Sequence, residues 1–145
     1  MRSADTTEEK KIKGRKRHIV VDTMGNLLAV IVHAANIHDT KSGIDPAVIA
    51  YEKYPTIEKF CGDEGYRKSF EEAVRYNLNL GVDISERISP KFEVIPKRWV
   101  VERTLAWFNN SRRLSKDYEI TIASATAMIF ISHLHMLVRR LAKAV

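Results

Sequence analysis

The stretch Lys97–Tyr118, KRWVVERTLAWFNNSRRLSKDY, decides the fold of this chain. At 3.6 residues per turn, its side chains separate into one broad apolar face and one narrow polar arc. The apolar face holds Val100, Val101, Leu105, Trp107 and Phe108, and the polar arc holds Arg98, Glu102, Asn109 and Arg113. We predict a helix over residues 97–118 that docks by its apolar face and presents one carboxylate among cationic and amide groups. An exposed set of helix ion pairs would give the same pattern as a functional carboxylate.

A second acidic residue of interest follows a predicted strand. The segment Thr56–Cys61 predicts a short strand, and Asp63 comes at its carboxyl end. Gly62 and Gly65 lie on either side of the acidic pair that Asp63 opens. An ordinary turn aspartate is the alternative interpretation. The chain therefore carries two candidate functional carboxylates, one after a strand and one on a helix.

The rest of the chain alternates between strand and helix patterns. Near the amino end, two β-branched runs flank a turn at residues 22–26, which predicts a β-hairpin. Its second strand is apolar nearly throughout, so we expect it to be covered on both faces. The predicted elements are strands at Ile19–Val21 and Leu27–Val32, a helix that begins with Asp45 and Pro46 and ends before Pro55, a helix at Ser69–Leu80, a strand at Val82–Ile84 and a helix at Thr121–Val145.

Composition and charge limit the classes of protein. With 145 residues, 45% of them hydrophobic, the chain can bury one core and is most simply one domain. Its net charge of +6 favours a polyanionic partner. The densest positive charge, KKIKGRKR at Lys10–Arg17, predicts either a solvated arm or salt-dependent phosphate contacts. We therefore divide the chain into a basic amino-terminal arm, residues 1–17, and a folded domain, residues 18–145.

Several kinds of site and location are disfavoured. The single cysteine, Cys61, excludes an internal disulfide and a cysteine-based zinc site, and we expect it to be a buried thiol. His38 and Asp39 are a weak metal pair because no third ligand stands at suitable spacing. Residues 1–9 are short and polar and do not form a signal peptide, so we expect the cytoplasm. Polar residues such as Thr126 interrupt the closing helix, which favours a core helix over a membrane span.

Three blocks of sequence resemble one protein family. They are KKIKGRKRHIVVDTMGNLLAVIVHAANIHD from Lys10, GDEGYR from Gly62 and RWVVERTLAWFNNSRRLSKDYE from Arg98. With the apolar closing helix, they resemble the DDE transposases of bacterial insertion sequences, in the group related to the IS-four and IS-five elements. The resemblance runs from about Lys10 to Leu141. It implies an α/β, RNase H-like fold, a mixed five-stranded sheet flanked by helices. In that fold three carboxylates hold two divalent ions, Mg²⁺ or Mn²⁺, for DNA cleavage and strand transfer.

The resemblance assigns roles to individual residues. Asp63 would be the second acid and Glu102 the third, each a catalytic residue and a metal ligand. Arg98 lies one helical turn before Glu102, as an arginine does in the family, whereas Ile95 and Asn109 replace the family's tyrosine and its later basic residue. The residues expected to contact DNA are Lys10, Lys11, Lys13, Arg15, Lys16, Arg17, Arg98, Arg103, Arg112 and Arg113.

The first acid of the family is missing from its expected place. In the family it lies on the first strand, upstream of the basic block, where this chain has only Asp5 with no apolar strand around it. Asp22 lies in the predicted hairpin turn, at the wrong end of the following strand, and Asp39 comes after the next strand. We therefore expect the carboxyl-terminal part of a transposase that lacks the first strand. A truncation, a remnant or a second reading frame joined by frameshifting would each look like this.

Two further functions stay open at this point. One is a non-catalytic DNA-binding remnant of a transposase, and the other is a generic RNase H-like nuclease. The expected partners are the DNA of the element ends and of the target, with a homodimer and the product of an upstream reading frame as further candidates. No membrane partner is expected, and the expected location is the bacterial cytoplasm, at the nucleoid.

Overall fold

The computed structural model describes residues 14–35, 43–85 and 96–144, with side chains in the last range from Trp99 onward. The described residues form an α/β structure of short strands flanked by helices. In chain order the elements are β1 (Arg15–Val21), β2 (Leu27–Ala34), α1 (Ile44–Lys53), β3 (Lys59–Asp63), a 3-10 helix (Glu64–Tyr66), α2 (Ser69–Leu78), β4 (Gly81–Ser85), α3 (Pro96–Asn109) and α4 (Ile122–Ala144).

The predicted hairpin is present, with its first strand longer than expected. Strands β1 and β2 pair antiparallel, and β1 begins at Arg15 rather than Ile19, so part of the basic block is strand. In the turn, the Asp22 carboxylate accepts hydrogen bonds from the backbone N–H groups of Met24 at 2.9 Å and Asn26 at 2.8 Å. It also accepts one from the Asn26 side-chain amide at 2.8 Å. Asp22 is therefore engaged in holding the turn together.

Helices cover both faces of the hairpin, as the apolar second strand predicts. Helix α1 contacts β1 and β2, while α4 contacts β2 and α3 contacts β1. One core lies between the hairpin and the two carboxyl-terminal helices: Leu27, Val30, Val32, Phe108, Leu114, Ala125 and Ile129. A second core joins α1, α2, β3 and β4: Ala47, Phe60, Phe70 and Val74. The alternating sides of β1 serve both cores, since Ile19 packs against the first and Val20 against the second.

The second pair of strands is parallel. In β3 and β4, Phe60 lies opposite Val82 and Asp63 opposite Ser85. Helix α2 connects these strands, as a parallel crossover requires. Within the described part of the chain, the strands form two separate two-stranded sheets rather than the five-stranded sheet that the resemblance implies. The predicted mixed α/β class is therefore observed.

The helix predicted over residues 97–118 ends early. Helix α3 stops at Asn109, and the next residues form turns in which the Ser111 N–H donates to the Phe108 carbonyl at 2.9 Å. Asn109, Asn110 and Ser111 stand in a row there, and such side chains compete with helical backbone hydrogen bonds. Arg113 consequently lies outside the helix and does not share its polar arc.

Two smaller expectations are wrong. Helix α1 begins at Ile44 with Gly43 at its N-cap, which places Asp45 inside the first turn. A Cβ at residue 43 would come within 2.7 Å of the Tyr66 ring, so a larger N-cap residue does not fit. Cys61 is exposed, not buried, because β3 turns Phe60 into the core and the next side chain to the other side.

Only one side of helix α4 is buried in the core. Ala125, Ile129 and His133, spaced four residues apart, are buried, whereas several large apolar side chains are exposed: Ile122, Phe130, Ile131, Leu134, Val138 and Leu141. Helix α4 has 23 residues and a hydropathy of 1.3, so by length and composition alone it is long and apolar enough to cross a membrane. One such helix is weak evidence for a span, because core helices of soluble proteins have the same length and composition.

Candidate functional site

The first candidate carboxylate ends a strand, as predicted. Asp63 is the last residue of β3, lies opposite Ser85 in β4 and is partly buried. Its carboxylate caps the following 3-10 helix by accepting a hydrogen bond from the Gly65 N–H at 3.1 Å. A Cβ on Gly65 would lie 3.2 Å from that carboxylate oxygen, so the glycine permits the close approach. The side chain of Asp63 is thus held in place while it remains accessible.

The second candidate carboxylate is on a helix that reaches the same strand. Glu102 is an exposed residue of α3, and α3 contacts both β1 and β3. The structure therefore brings together the two elements that carry Asp63 and Glu102. Within the described ranges, however, no group of three or more His, Cys, Asp or Glu side chains could hold a metal ion.

The rotation of α3 about its axis is set by a residue that the sequence pattern treated as an interruption. Thr104 is fully buried, and its hydroxyl lies 3.1 Å from the Gly25 carbonyl and 3.0 Å from that of Val100. Gly25 has a φ of +86°, and a Cβ there would come within 2.8 Å of the Thr104 hydroxyl. The hairpin turn and α3 therefore touch backbone to side chain, which is possible only with glycine in the turn. This contact fixes which face of α3 points away from the core.

A stack of arginine and tryptophan side chains reinforces that contact. The Arg103 guanidinium lies 4.5 Å from the Trp99 ring centre and 4.6 Å from that of Trp107. Arg103 also donates a hydrogen bond to the Met24 carbonyl at 2.9 Å. Arg140 from α4 lies 4.2 Å from the Trp107 ring. Cation–π contacts of this kind are stabilising. Arg103, expected to contact DNA, therefore links α3 to the hairpin turn, and Arg140 over Trp107 links α3 to α4.

The arginines of β1 are likewise engaged with the protein. Arg15 donates to the Asp117 carboxylate at 2.9 Å and to the backbone carbonyls of Glu119 at 2.6 Å and Ile120 at 2.7 Å. Arg17 donates to the Leu114 carbonyl at 3.1 Å. Both side chains hold the segment between α3 and α4, so they have structural partners where the sequence suggested DNA phosphates.

The other expected DNA contacts fall into three groups. Arg112 and Arg113 are exposed and, with Tyr118, line a cavity of about 370 Å³. Lys16 is a partly buried residue of β1 and already interacts with another part of the protein. Lys10, Lys11 and Lys13 lie outside the described residues, as do the side chain of Arg98 and the pair His38 and Asp39.

A buried histidine was missed by the sequence reasoning. The Nε2 atom of His133 accepts a hydrogen bond from the Leu27 N–H at 3.2 Å, so the ring is neutral with its proton on Nδ1. Burial lowers the pKa of His133, the nearby Arg140 lowers it further, and Asp22 opposes both. The spacing of Ala125, Ile129 and His133 was the available signal, because it places the histidine on the buried stripe of α4.

A pair of buried histidines lies on the other face of the hairpin. His18 and His33 are stacked with ring centres 4.6 Å apart, and His18 Nδ1 lies 3.1 Å from the Tyr66 hydroxyl. Each histidine is 7% exposed. This contact joins the hairpin to the loop after β3, directly beyond Asp63. It helps to fix the position of the strand end that carries the first candidate carboxylate.

Comparison with known proteins decides the family. A family model described as the transposase DDE domain matches residues 2–137. The chain belongs to this family. It is also similar to a putative transposase for insertion sequence element IS402 from Burkholderia cepacia, at 30% identity over 114 residues. That alignment covers 73% of this chain and 54% of the relative, so the chain spans about half the length of the curated transposase that it matches. No solved structure matches it significantly.

Membership of the DDE transposase family brings an expected cofactor. The family generally uses divalent metal ions, and Mg²⁺ prefers hard oxygen ligands. The carboxylates of Asp63 and Glu102 suit such an ion in chemistry, and they lie on contacting elements. A pair of ions between two carboxylates and a phosphate needs more anionic ligands than these two, and none joins them among the described residues. Asp63 and Glu102 therefore have the chemistry of metal ligands, and the described residues show no complete metal site around them.

Proposed function

We propose that this chain acts in DNA transposition as a DDE-type domain that cleaves DNA and transfers strands at the ends of an insertion sequence. The observation that carries the proposal is the contact between β3, which ends in Asp63, and α3, which carries Glu102, in a chain of the transposase DDE domain family. In this proposal Asp63 and Glu102 are catalytic residues that ligate Mg²⁺ or Mn²⁺. Bound ions would supply charge stabilisation and activation for attack on a phosphodiester.

The residues of this chain have separable roles in the proposal. Asp63 is held by its hydrogen bond from the Gly65 N–H, which limits the positions that its carboxylate can adopt. Glu102 takes its direction from α3, whose rotation is fixed by the Thr104 contact with the hairpin turn. Preorganised ligands lower the free energy needed to assemble a metal site beside an anionic substrate. A third carboxylate completes the site, and Asp22 does not supply it while it holds the turn.

The proposed substrate is DNA, at the element ends and at the target. The chain carries a net charge of +6, and contacts of Lys and Arg with phosphate give affinity without sequence preference. A DNA substrate places the proposed activity in the bacterial cytoplasm, at the nucleoid. The proposal includes a homodimer and a partner encoded by an upstream reading frame. Light scattering on the purified chain tests the homodimer, and a monomer at every concentration would remove it.

Metal binding provides the first test. We expect Mn²⁺ to bind the protein, as followed by electron paramagnetic resonance, and Asp63→Asn and Glu102→Gln each to weaken that binding. The matched control is Glu72→Gln, an exposed acid on α2, which removes the same charge away from the proposed site. Equal Mn²⁺ affinity in all three variants would exclude a shared metal site at Asp63 and Glu102.

Cleavage provides the second test. The chain is incubated with Mg²⁺ and a supercoiled plasmid carrying the element ends, with and without the segment encoded upstream of it. We expect cleavage only when a third carboxylate is supplied, and we expect Glu102→Gln to abolish it. Cleavage that survives both Asp63→Asn and Glu102→Gln would show that other residues perform the chemistry.

The second candidate function is DNA binding without catalysis. It is favoured by one observation: the described residues contain no group of three potential metal ligands, although the family needs several anionic ligands for two ions. DNA binding that persists in EDTA, with no cleavage under any of the conditions above, would support this candidate over the first.

A further inference from the structure

The segment between α3 and α4, residues 110–121, is held rigidly although it contains no helix or strand. Its backbone closes successive turns, with the Leu114 N–H donating to the Ser111 carbonyl at 2.9 Å. Leu114 is 3% exposed and belongs to the first core. We call residues 110–121 the basic loop, because its sequence NSRRLSKDYEIT contains three cationic side chains. The buried side chain of Leu114 and the hydrogen bonds of successive turns hold this loop against the first core.

Two arginines of β1 fix the basic loop from inside. Arg15, whose side chain is 19% exposed, reaches the Asp117 carboxylate and two backbone carbonyls of the loop. Arg17 reaches a third carbonyl, that of Leu114. Hydrogen bonds from a charged donor contribute about 1.5–3 kcal/mol each in general, which is enough to select one loop conformation. These inner arginines neutralise an acid and leave the outer cations of the loop facing solvent.

The outer side of the basic loop carries surplus positive charge around a cavity. Arg113 forms an ion pair with Glu119 at 3.1 Å, and Asp117 is paired with Arg15, so both acids of the loop are compensated. Arg112 and Tyr118 are exposed and line the cavity of about 370 Å³ together with Arg113. That volume is at the lower end of the range for ligand sites. The cavity therefore presents the guanidinium of Arg112 and the phenol ring of Tyr118, while the guanidinium of Arg113 is held by the Glu119 carboxylate.

We infer that Arg112, Arg113 and Tyr118 form a site for a backbone phosphate of DNA, with the adjoining sugar and base against the tyrosine ring. A guanidinium donates two parallel hydrogen bonds to a phosphate, and exposed aromatic rings stack on nucleotides. Arg15 and Arg17 are positioning residues that act through the loop rather than on the DNA. The inference rests on the proposed function only in taking DNA as the partner.

The site has a defined relation to Glu102. From Glu102 to the end of α3 at Asn109 is seven residues, or about 10 Å along the helix axis. Base pairs follow one another at about 3.4 Å along each strand. A phosphate in the basic-loop cavity would therefore be a different phosphate from the one beside Glu102. The loop would hold the flanking duplex and not the reacting bond.

The experiment measures DNA binding in the absence of metal. The purified chain is titrated in EDTA against a fluorescein-labelled duplex oligonucleotide, and anisotropy is recorded between 50 and 200 mM salt. We expect Arg112→Ala to weaken binding about tenfold, the effect of losing one charge-assisted contact. We also expect it to lower the salt slope by about one. The control is Arg139→Ala, which removes an exposed arginine from α4.

Further variants keep the test informative if one of them folds poorly. Tyr118→Ala removes no charge, so we expect weaker binding with an unchanged salt slope. Arg15→Lys keeps the charge and loses the planar fork, and we expect it to weaken binding by loosening the loop. If Arg112→Ala and Arg139→Ala bind DNA alike, or if the unmodified chain fails to bind at 50 mM salt, the inference is overturned.

Failure of the inference is distinguishable from failure of the proposed function. Glu72→Gln lies outside both the basic loop and the proposed catalytic site, so we expect it to bind the duplex in EDTA as the unmodified chain does. If the chain never cleaves DNA but Arg112→Ala weakens DNA binding, the proposed function fails and the phosphate site is supported. A chain that cleaves DNA with unchanged binding in Arg112→Ala keeps the proposed function and loses the phosphate site.

Discussion

Replacement of Arg103 by alanine should destabilise the protein, although the sequence assigned this residue to DNA. Its guanidinium contacts the rings of Trp99 and Trp107 and donates to the Met24 carbonyl. Each cation–π contact contributes about 0.5–1 kcal/mol at a partly exposed site. The charged hydrogen bond contributes about 1.5 kcal/mol. The Nε–H of Arg103 is buried and has no hydrogen-bond partner within the described residues. This unpaired donor cancels about 1 kcal/mol of the stabilisation that the other contacts of Arg103 provide. We therefore expect Arg103→Ala to lower the free energy of unfolding by about 2 kcal/mol.

The chain provides its own probe for this measurement. It contains two tryptophans, Trp99 and Trp107, and both flank Arg103, so tryptophan fluorescence reports on this stack. Urea denaturation followed by fluorescence and by far-ultraviolet circular dichroism gives the free energy of unfolding. We expect the emission of Arg103→Ala to shift even in the folded state, because one ring face of each tryptophan loses its contact.

Two control variants separate geometry from charge. Arg103→Lys keeps the positive charge but lacks the planar fork, so we expect an intermediate loss of stability. Arg139→Ala removes an exposed arginine of α4, and surface changes of this kind stay within about 0.5 kcal/mol. Stability of Arg103→Ala equal to that of Arg139→Ala would refute the assignment of Arg103 to the stack.

Two further predictions concern the hairpin and its contact with α4. Because the pKa of His133 is lowered in the folded protein, the unfolded chain binds the proton more tightly, and stability should fall as pH decreases through and below 6.5. Chemical denaturation between pH 8 and pH 5 measures this slope, which should be smaller in His133→Gln and unchanged in the exposed control His135→Gln. Gly25→Ala should cost about 2–3 kcal/mol, since φ is +86° and the new Cβ would clash with the Thr104 hydroxyl. Gly81→Ala, where a Cβ would meet nothing within 4 Å, should leave the melting temperature nearly unchanged.

The fold could be predicted from sequence wherever periodicity was strong. The hairpin, the strand that ends in Asp63 and the amphipathic helix after it all occur in the structure. The end of α3 could not be predicted in this way, because helical periodicity continues past Asn109 while the local polar side chains break the backbone pattern. Thr104 was misjudged for a related reason. A pattern of apolar residues cannot reveal that a hydroxyl will be buried against the carbonyl of Gly25.

The positions of the two candidate carboxylates in the fold were predictable from the sequence, whereas the contacts of the arginines were not. A carboxylate at a strand end or on a helix can be placed from local sequence, whereas the partner of an arginine depends on which distant carbonyls the fold brings near. Arg15 is 102 residues from its partner Asp117, and Arg103 is 79 residues from Met24. Positive charge in the sequence therefore predicted DNA contact for Arg15, Arg17 and Arg103 as much as for Arg112 and Arg113. Only the tertiary structure separates the inner arginines from Arg112 and Arg113.

Contacts made by helix α3 determine the orientation of the candidate catalytic residue Glu102. One side of it is fixed to the hairpin turn by Thr104, and the neighbouring side carries the stack around Arg103. Glu102 precedes both residues and is exposed, so its direction follows from contacts made on the other sides of the helix. Weakening those contacts would change the orientation of Glu102 without touching it. Arg103→Ala should therefore reduce Mn²⁺ affinity as well as stability, and an unchanged affinity in the folded variant would separate the helix contacts from the metal site.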